Sequence, residues 1–165
     1  ILYRLVGSEM CIRDRLGMIE VIDHKNGPCH SEVKVENGKV HVIETQTRFG
    51  GDYIWRLTEL TTGTDLFKEN IMTLLNMPDP VREITANSSA IRYLTPKMDK
   101  VNEIAFAQNI TEFPGVVDFQ ILVKPGEKLA VDSSLSRAGY ALTIGENQEQ
   151  AIERAEEVLD KIEIS

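Results

Sequence analysis

The sequence predicts an α+β fold, in which antiparallel strands are accompanied by helices. Two stretches of alternating polarity flank the turn signal Glu36-Asn37-Gly38-Lys39, which is typical of a β-hairpin. Apolar residues recur at helical spacing over 53–61 and 65–75. The second half alternates further strand-like stretches with one closing amphipathic stretch at 147–162. With 165 residues, of which 42% are hydrophobic, the chain is long enough to bury a sizeable core.

The first half predicts a hairpin followed by two helices. Residues 29–35 and 40–46 are the hairpin strands, and Gly63 separates the two helices. Upstream, residues 16–23 are interpreted as the end of a helix, because the breaker cluster at 24–28 contains Gly27 and Pro28. A second breaker cluster at 76–80 marks a boundary. We therefore expect one domain over residues 16–80.

The second half, residues 81–165, is expected to form a separate, smaller α/β lobe. Strands are predicted at 90–94, 101–106, 116–123 and 138–144. A short helical or turn segment is predicted at 107–112. The final helix is predicted over 147–162, where apolar residues form one stripe and glutamates occupy the opposite face.

Composition excludes several classes of function. The net charge of −8 would repel a phosphate backbone, so we expect no nucleic-acid partner. No stretch approaches about 18 consecutive apolar residues, so no membrane span is predicted. The two cysteines, Cys11 and Cys29, lack metal-type spacing, and this usage fits a reducing cytoplasm.

Residues 1–15 differ in character from the remainder of the chain. The stretch from Leu5 to Arg15 resembles one reading frame of an adapter used in sequencing libraries. We interpret residues 1–15 as a non-native translated segment and exclude them from the fold prediction. On this interpretation the native sequence starts near Leu16, and the chain is a C-terminal fragment.

The predicted hairpin carries an unusual set of polar side chains. Strand residues alternate between faces, so Glu44 and Gln46 share one face, and Arg48 would share it if the strand persisted. Glu32 occupies the first strand. Magnesium prefers oxygen ligands, commonly one or two carboxylates with phosphate oxygens, and arginine offers paired donors to phosphate. Glu32, Glu44 and Gln46 could therefore hold a metal beside a nucleotide triphosphate, with Arg48 on the transferred phosphoryl group.

The hairpin register decides whether Glu32 and Glu44 can share a metal. A strict two-residue turn at Asn37-Gly38 would pair Glu32 with Ile43 and place Glu44 on the opposite face. We therefore predict a three-residue loop with Gly38 in the left-handed conformation, which pairs Val35 with Lys39 and Glu32 with Val42. Glu44 is then a diagonal neighbour of Glu32, roughly 7 Å away on the same face.

A simpler interpretation of the same pattern stays open. Alternating charges on a hairpin are usually a solvated face, and the glycine pair Gly50-Gly51 is by itself a weak signal. His30 and His41 are interpreted as structural or solvent-facing residues.

Several motifs follow one another along the chain. The hairpin region contains Gly-Pro-Cys-His-Ser-Glu-Val-Lys at 27–34 and Val-Ile-Glu-Thr-Gln-Thr-Arg-Phe-Gly-Gly-Asp at 42–52, then Leu-Thr-Thr-Gly-Thr-Asp-Leu at 60–66. The second half contains Phe-Pro-Gly-Val-Val at 113–117, Val-Lys-Pro-Gly at 123–126 and Arg-Ala-Gly-Tyr at 137–140. The first set resembles the end of the ATP-binding domain in ATP-grasp carboxylate–amine ligases, and the second resembles the C-terminal lobe of the subgroup that includes amino-acid ligases. The likeness extends over nearly the whole chain from Leu16 onward.

The resemblance implies roles for individual residues. Glu32 and Glu44 match the two magnesium-bridging carboxylates, and Arg48 matches the catalytic arginine at the phosphate and the acyl-phosphate intermediate. Gln46 stands where the family usually has asparagine, which puts direct metal contact in doubt. Gly50 and Gly51 match the loop beside the acyl phosphate, where small residues allow close backbone approach.

The resemblance also implies a reaction and its partners. ATP and Mg²⁺, with Mn²⁺ as a substitute, would serve to activate a small-molecule carboxylate as an acyl phosphate. An amine would then displace phosphate, and a homodimer is compatible with the family. As a fragment, the chain would be inactive alone, because the upstream phosphate-binding lysines and substrate domain would be missing. The alternative is a non-catalytic nucleotide-binding or interaction lobe derived from the same fold.

Overall fold

The computed structural model describes residues 17–37, 39–78, 82–95, 99–106, 109–129 and 137–165. The interpretation of residues 1–15, the first residue of the helix end predicted at 16–23 and the predicted conformation of Gly38 lie outside these residues. The same holds for the first two residues of the segment predicted at 107–112. The chain divides into two compact units, Ile1–Glu83 and Ile84–Ser165.

The first unit contains the hairpin and two helices. Strand β1 (His30–Glu36) pairs antiparallel with β2 (Lys39–Gln46), after a helical segment at 17–21. Helices α1 (Ile54–Thr62) and α2 (Leu66–Leu74) follow. All four predicted elements are present, and each end lies within one residue of its predicted position.

The connection between α1 and α2 is determined by local chemistry. Gly63 has a φ of 70° and its N–H donates to the carbonyl of Glu59, which ends α1. An added Cβ at Gly63 would lie 2.6 Å from the backbone nitrogen of Glu83, so only glycine fits there. Asp65 caps α2, because its carboxylate accepts from the backbone N–H of Lys68 at 3.0 Å.

The second unit is built on a three-stranded antiparallel sheet in the order β3-β6-β5. These strands are β3 (Ser88–Leu94), β5 (Val116–Ile121) and β6 (Gly139–Gly145). A separate ladder pairs β4 (Ile104–Phe106) with β7 (Ile162–Ile164). Helix α3 (Gln148–Leu159) lies between β6 and β7 in the chain, and a 3₁₀ turn occupies Ile110–Glu112. The α+β fold class is therefore confirmed.

The core of the second unit lies between α3 and the central strand β6. The helix buries Ala151, Ala155 and Val158, and its packing cluster includes the fully buried Ala141 of β6. The buried Thr143 hydroxyl donates to the carbonyl of Ala151 at 2.5 Å, so its polarity is satisfied inside the core.

The helix predicted over 147–162 is wrong at its C-terminal end. The helix stops at Leu159, and Ile162 instead pairs with Phe106 in the β4–β7 ladder. Ile162 continues the apolar helical spacing of the sequence, but it is buried as a strand residue against the same core cluster. Tertiary pairing has therefore overridden the local helical pattern.

Candidate functional site

The hairpin register places Glu32 directly opposite Glu44. Near the turn, Val35 pairs with Val40 and Glu36 with Lys39, so the predicted three-residue loop is wrong. A register shift between Glu32 and Val33 then brings Val33 opposite Val42 and Glu32 opposite Glu44. Ile43 is the extra residue of this β-bulge and is 67% exposed. The bulge, and not the turn, therefore places Glu44 on the same face of the hairpin as Glu32.

Side-chain contacts show which residues share each hairpin face. Nε2 of His30 lies 3.7 Å from Oε1 of Glu32, and the amide of Gln46 contacts the carboxylate of Glu44. On the opposite face, the Thr45 hydroxyl donates to Oγ of Ser31 at 3.2 Å. The polar face therefore brings together His30, Glu32, Glu44 and Gln46, and both glutamates are exposed.

Arg48 lies beyond the strand. Because β2 ends at Gln46, Arg48 lies in the following bend, and strand alternation does not set its direction. Its guanidinium is exposed and donates to the carbonyl of Phe49 at 2.8 Å. Within the described part of the chain it forms no ion pair, so its remaining donors are free of a competing carboxylate.

The two glycines after Arg48 have different surroundings. An added Cβ at Gly50 would lie 3.0 Å from Nδ1 of His30 and 3.2 Å from Cβ of Ile54. An added Cβ at Gly51 would meet nothing within 4 Å, and Gly51 is exposed. Gly50 is thus packed against protein, whereas Gly51 has an open face.

An aromatic cluster anchors the glycine loop to both helices. The ring centroids of Phe49 and Phe67 are 4.3 Å apart, and those of Trp55 and Phe67 are 5.3 Å apart. Tyr53 stacks near Trp55 with centroids 6.0 Å apart. Asp52 and Tyr53 both have positive φ values, 52° and 58°, as the chain turns into α1. Offset and tilted ring pairs of this kind hold the two ends of the loop in place.

The donor set fits a cation that is shared with phosphate. Two opposed, exposed carboxylates supply the hard oxygen ligands that Mg²⁺ prefers, and the ion usually completes its shell with water and substrate phosphate. Among the residues that the structure describes, no group of three or more His, Cys, Asp or Glu side chains could hold a metal ion by itself. Glu32 and Glu44 therefore offer a partial set of oxygen ligands for such an ion.

His30 lies beside the predicted site residues. The sequence predicts a structural or solvent-facing role for it, and its ring, which is 19% exposed, lies between the Glu32 carboxylate and Gly50. His30 shares a face with Glu32 because the two residues are two positions apart on a strand.

The chain has the fold of the C-terminal part of ATP-grasp ligases. The L-amino acid ligase from Bacillus licheniformis superposes with a TM-score of 0.79 at 16% identity, covering 100% of this chain and 42% of that chain. Phosphoribosylglycinamide synthetase from Anaerococcus prevotii gives 0.71 at 13% identity, covering 89% and 39%. The biotin carboxylase domain of Hydrogenobacter thermophilus 2-oxoglutarate carboxylase, solved with MgADP and bicarbonate, gives 0.59 at 17% identity, covering 98% and 37%.

A family model gives a narrower likeness. Residues 92–165 match the L-amino acid ligase C-terminal domain 2, so this match lies within the second unit, while the hairpin lies in the first. The predicted resemblance to the C-terminal region of an ATP-grasp ligase is confirmed. None of the curated proteins compared with the chain matches it in sequence. The chain spans about two fifths of the length of the first two ligases.

None of the helices among the described residues has the length and apolar character that a membrane crossing requires.

Proposed function

We propose that the whole protein carrying this sequence is an ATP- and Mg²⁺-dependent ligase that joins a small-molecule carboxylate to an amine. The observation that carries the proposal is the direct pairing of Glu32 with Glu44 on one exposed hairpin face. Two adjacent carboxylates repel each other unless a cation lies between them, and they have the oxygen chemistry that Mg²⁺ prefers. The ligase and carboxylase folds of the neighbouring structures support the same class of reaction.

Each residue of the hairpin face has a place in this proposal. Glu32 and Glu44 would hold Mg²⁺, which supplies charge neutralisation for the phosphates of ATP. Gln46 presents an amide beside Glu44, where it can add an oxygen ligand or orient that carboxylate. The exposed Arg48 has donors available for the phosphoryl group, and the open face of Gly51 allows backbone approach to an acyl phosphate; Gly50 supports that loop from behind.

The proposed chemistry proceeds in two balanced steps. An oxygen of the substrate carboxylate attacks the γ-phosphorus of ATP, the bond to the β-phosphate oxygen breaks, and ADP leaves. The amine nitrogen then attacks the acyl carbon, phosphate leaves with the bonding electron pair, and the nitrogen loses a proton. The residues of this chain contribute by positioning and by stabilising charge, since phosphoryl transfer requires little else from the protein.

The proposed domain roles follow the division of the chain. Residues 16–80 would be the C-terminal part of the ATP-binding domain, and residues 81–165 the C-terminal lobe. We assign the activity to the whole ligase, because the chain spans about two fifths of the relatives' length and one wall of a cleft cannot orient two substrates. We place the enzyme in the cytoplasm and propose assembly as a homodimer, with neither nucleic acid nor a membrane as partner.

The test is product analysis of the whole protein with ATP, Mg²⁺ and panels of amino acids and other acids and amines. ADP and phosphate should accumulate together, in equal amounts, only when a carboxylate and an amine are both present. Mass spectrometry should detect the amide product. Release of AMP and pyrophosphate would contradict the proposal, because it would indicate an acyl-adenylate instead of an acyl phosphate.

The identity of residue 46 favours a second candidate function. A glutamine where the resembled family usually has asparagine is compatible with a nucleotide-binding lobe that has lost catalysis. That candidate predicts Mg²⁺-dependent binding of ADP by the whole protein, with no turnover of any acid–amine pair. Formation of an amide product would exclude it.

A further inference from the structure

The ring of His30 lies between the two parts of the candidate site. It is 19% exposed, whereas the Glu32 side chain is 55% exposed. One ring nitrogen, Nε2, lies 3.7 Å from Oε1 of Glu32. The other, Nδ1, would lie only 3.0 Å from a Cβ on Gly50. The imidazole therefore contacts the carboxylate with one edge and the glycine loop with the other.

The strand and loop hold the ring from opposite sides. His30 opens β1 opposite Gln46 of β2, and the missing side chain of Gly50 leaves the space in which the ring lies. Ile54 closes the same space, since its Cβ would lie 3.2 Å from the added atom. Protein interiors tolerate little change in volume, so this ring has far less freedom than the exposed glutamate beside it.

We infer that His30 is a positioning residue that orients the Glu32 carboxylate relative to the glycine loop, an inference that rests on the proposed function. An exposed glutamate samples several rotamers, and a metal site loses affinity when its ligand must first be ordered. A ring wedged against Gly50 gives Glu32 a fixed polar neighbour. The packing of Gly50 is then explained by His30, and Gly51 is the glycine with space for a ligand.

The test uses Mn²⁺ in the presence of ADP as the probe of the whole protein, because the two glutamates supply only part of a metal's ligand shell. Paramagnetic broadening of the Glu32 and Glu44 NMR signals is followed against Mn²⁺ concentration in the native chain and in His30→Ala. We expect the half-maximal Mn²⁺ concentration to rise about tenfold in His30→Ala, as is usual when a ligand's supporting contact is lost. His30→Gln, which keeps a side-chain N–H donor, should recover part of this affinity.

His41→Ala is the matched control, because His41 is an exposed histidine of the same hairpin, paired with Lys34. It should leave the Mn²⁺ response unchanged. Gly50→Ala is a second variant, which displaces the His30 ring without removing it. It should weaken Mn²⁺ binding when it is made in the native protein. When it is combined with His30→Ala, it should weaken binding little further. Amide spectra of each variant check that the fold is intact.

The outcomes separate the inference from the function on which it rests. Broadening at Glu32 and Glu44 that is equal in the native chain and in His30→Ala would overturn the positioning role and leave the metal site intact. No broadening at either glutamate in the native chain would overturn the metal site and the role of His30 with it. A loss of Mn²⁺ affinity in His30→Ala that is partly recovered in His30→Gln would support both the metal site and the positioning role of His30.

Discussion

Replacing Glu44 with glutamine in the whole protein is expected to lower kcat/KM for amine-dependent ADP release by at least about 100-fold. The substitution preserves the size of the side chain but removes one of the two charges that face each other across the hairpin. The amide of Gln46, which contacts this carboxylate, would lose its charged acceptor at the same time. ADP release measured over a range of Mg²⁺ concentrations provides the test, and Glu32→Gln should behave alike.

Glu36→Gln is the matched control for that experiment. Glu36 is an exposed carboxylate of the same hairpin, paired with Lys39 at the turn and 3.7 Å from Nζ of Lys34. Exposed ion pairs contribute little, so the control should stay within about twofold of the native activity. If Glu44→Gln and Glu36→Gln had the same small effect, the hairpin charges would be a solvated face and the proposed metal site would be wrong.

Leu142→Ala is expected to produce the largest loss of stability, about 2–5 kcal/mol of the free energy of unfolding. Leu142 is fully buried on β6, the central strand of the second unit, with β3 and β5 on either side. Truncation removes buried apolar surface and leaves a cavity that a sheet paired on both edges cannot close. Denaturant unfolding of the 165-residue chain measures the change.

Leu122→Ala is the control with the same change of chemistry. Leu122 is 46% exposed as a residue, and the hydrogen bond from its backbone N–H to the carbonyl of Ala138 survives the substitution. We expect a loss below about 1 kcal/mol, as for most surface changes. Equal losses in the two variants would show that β6 is not at the centre of the core.

Local patterns were sufficient to predict most of the elements. The turn signal at Asn37 and the alternation on each side identify the hairpin, and the apolar spacing identifies α1 and α2. The presence of both glutamates on one face was also predicted, but the structural reason given for it was wrong. The turn is a two-residue turn, and the bulge at Ile43 is what brings Glu44 to the same face as Glu32.

The bulge at Ile43 could not be predicted from its own residues. The residues at and beside position 43 include no glycine or other local signal for a bulge, and isoleucine ordinarily favours a regular strand. Register depends on how both strands pack against their surroundings, which a single-sequence pattern does not specify. The prediction for Ile162 was wrong for a related reason. Its spacing fits the apolar stripe of the preceding helix, and only its pairing with β4 shows that it belongs to strand β7.

The different surroundings of Gly50 and Gly51 could likewise not be predicted from the sequence. Gly50 and Gly51 are adjacent and chemically identical, and only the positions of His30 and Ile54 distinguish them. The importance of His30 depends on the same contact. Such roles arise from distances between segments about 20 residues apart in the chain, so they become visible only once the fold is known.

The central claim is that one divalent cation is held jointly by Glu32 and Glu44. A crystal structure of the whole protein with Mn²⁺ and ADP tests it most directly, because the anomalous signal of manganese locates the ion independently of water. The account predicts a peak between the two carboxylates, in contact with an oxygen of each and with the nucleotide phosphates. A bound nucleotide whose metal touches neither glutamate would contradict it.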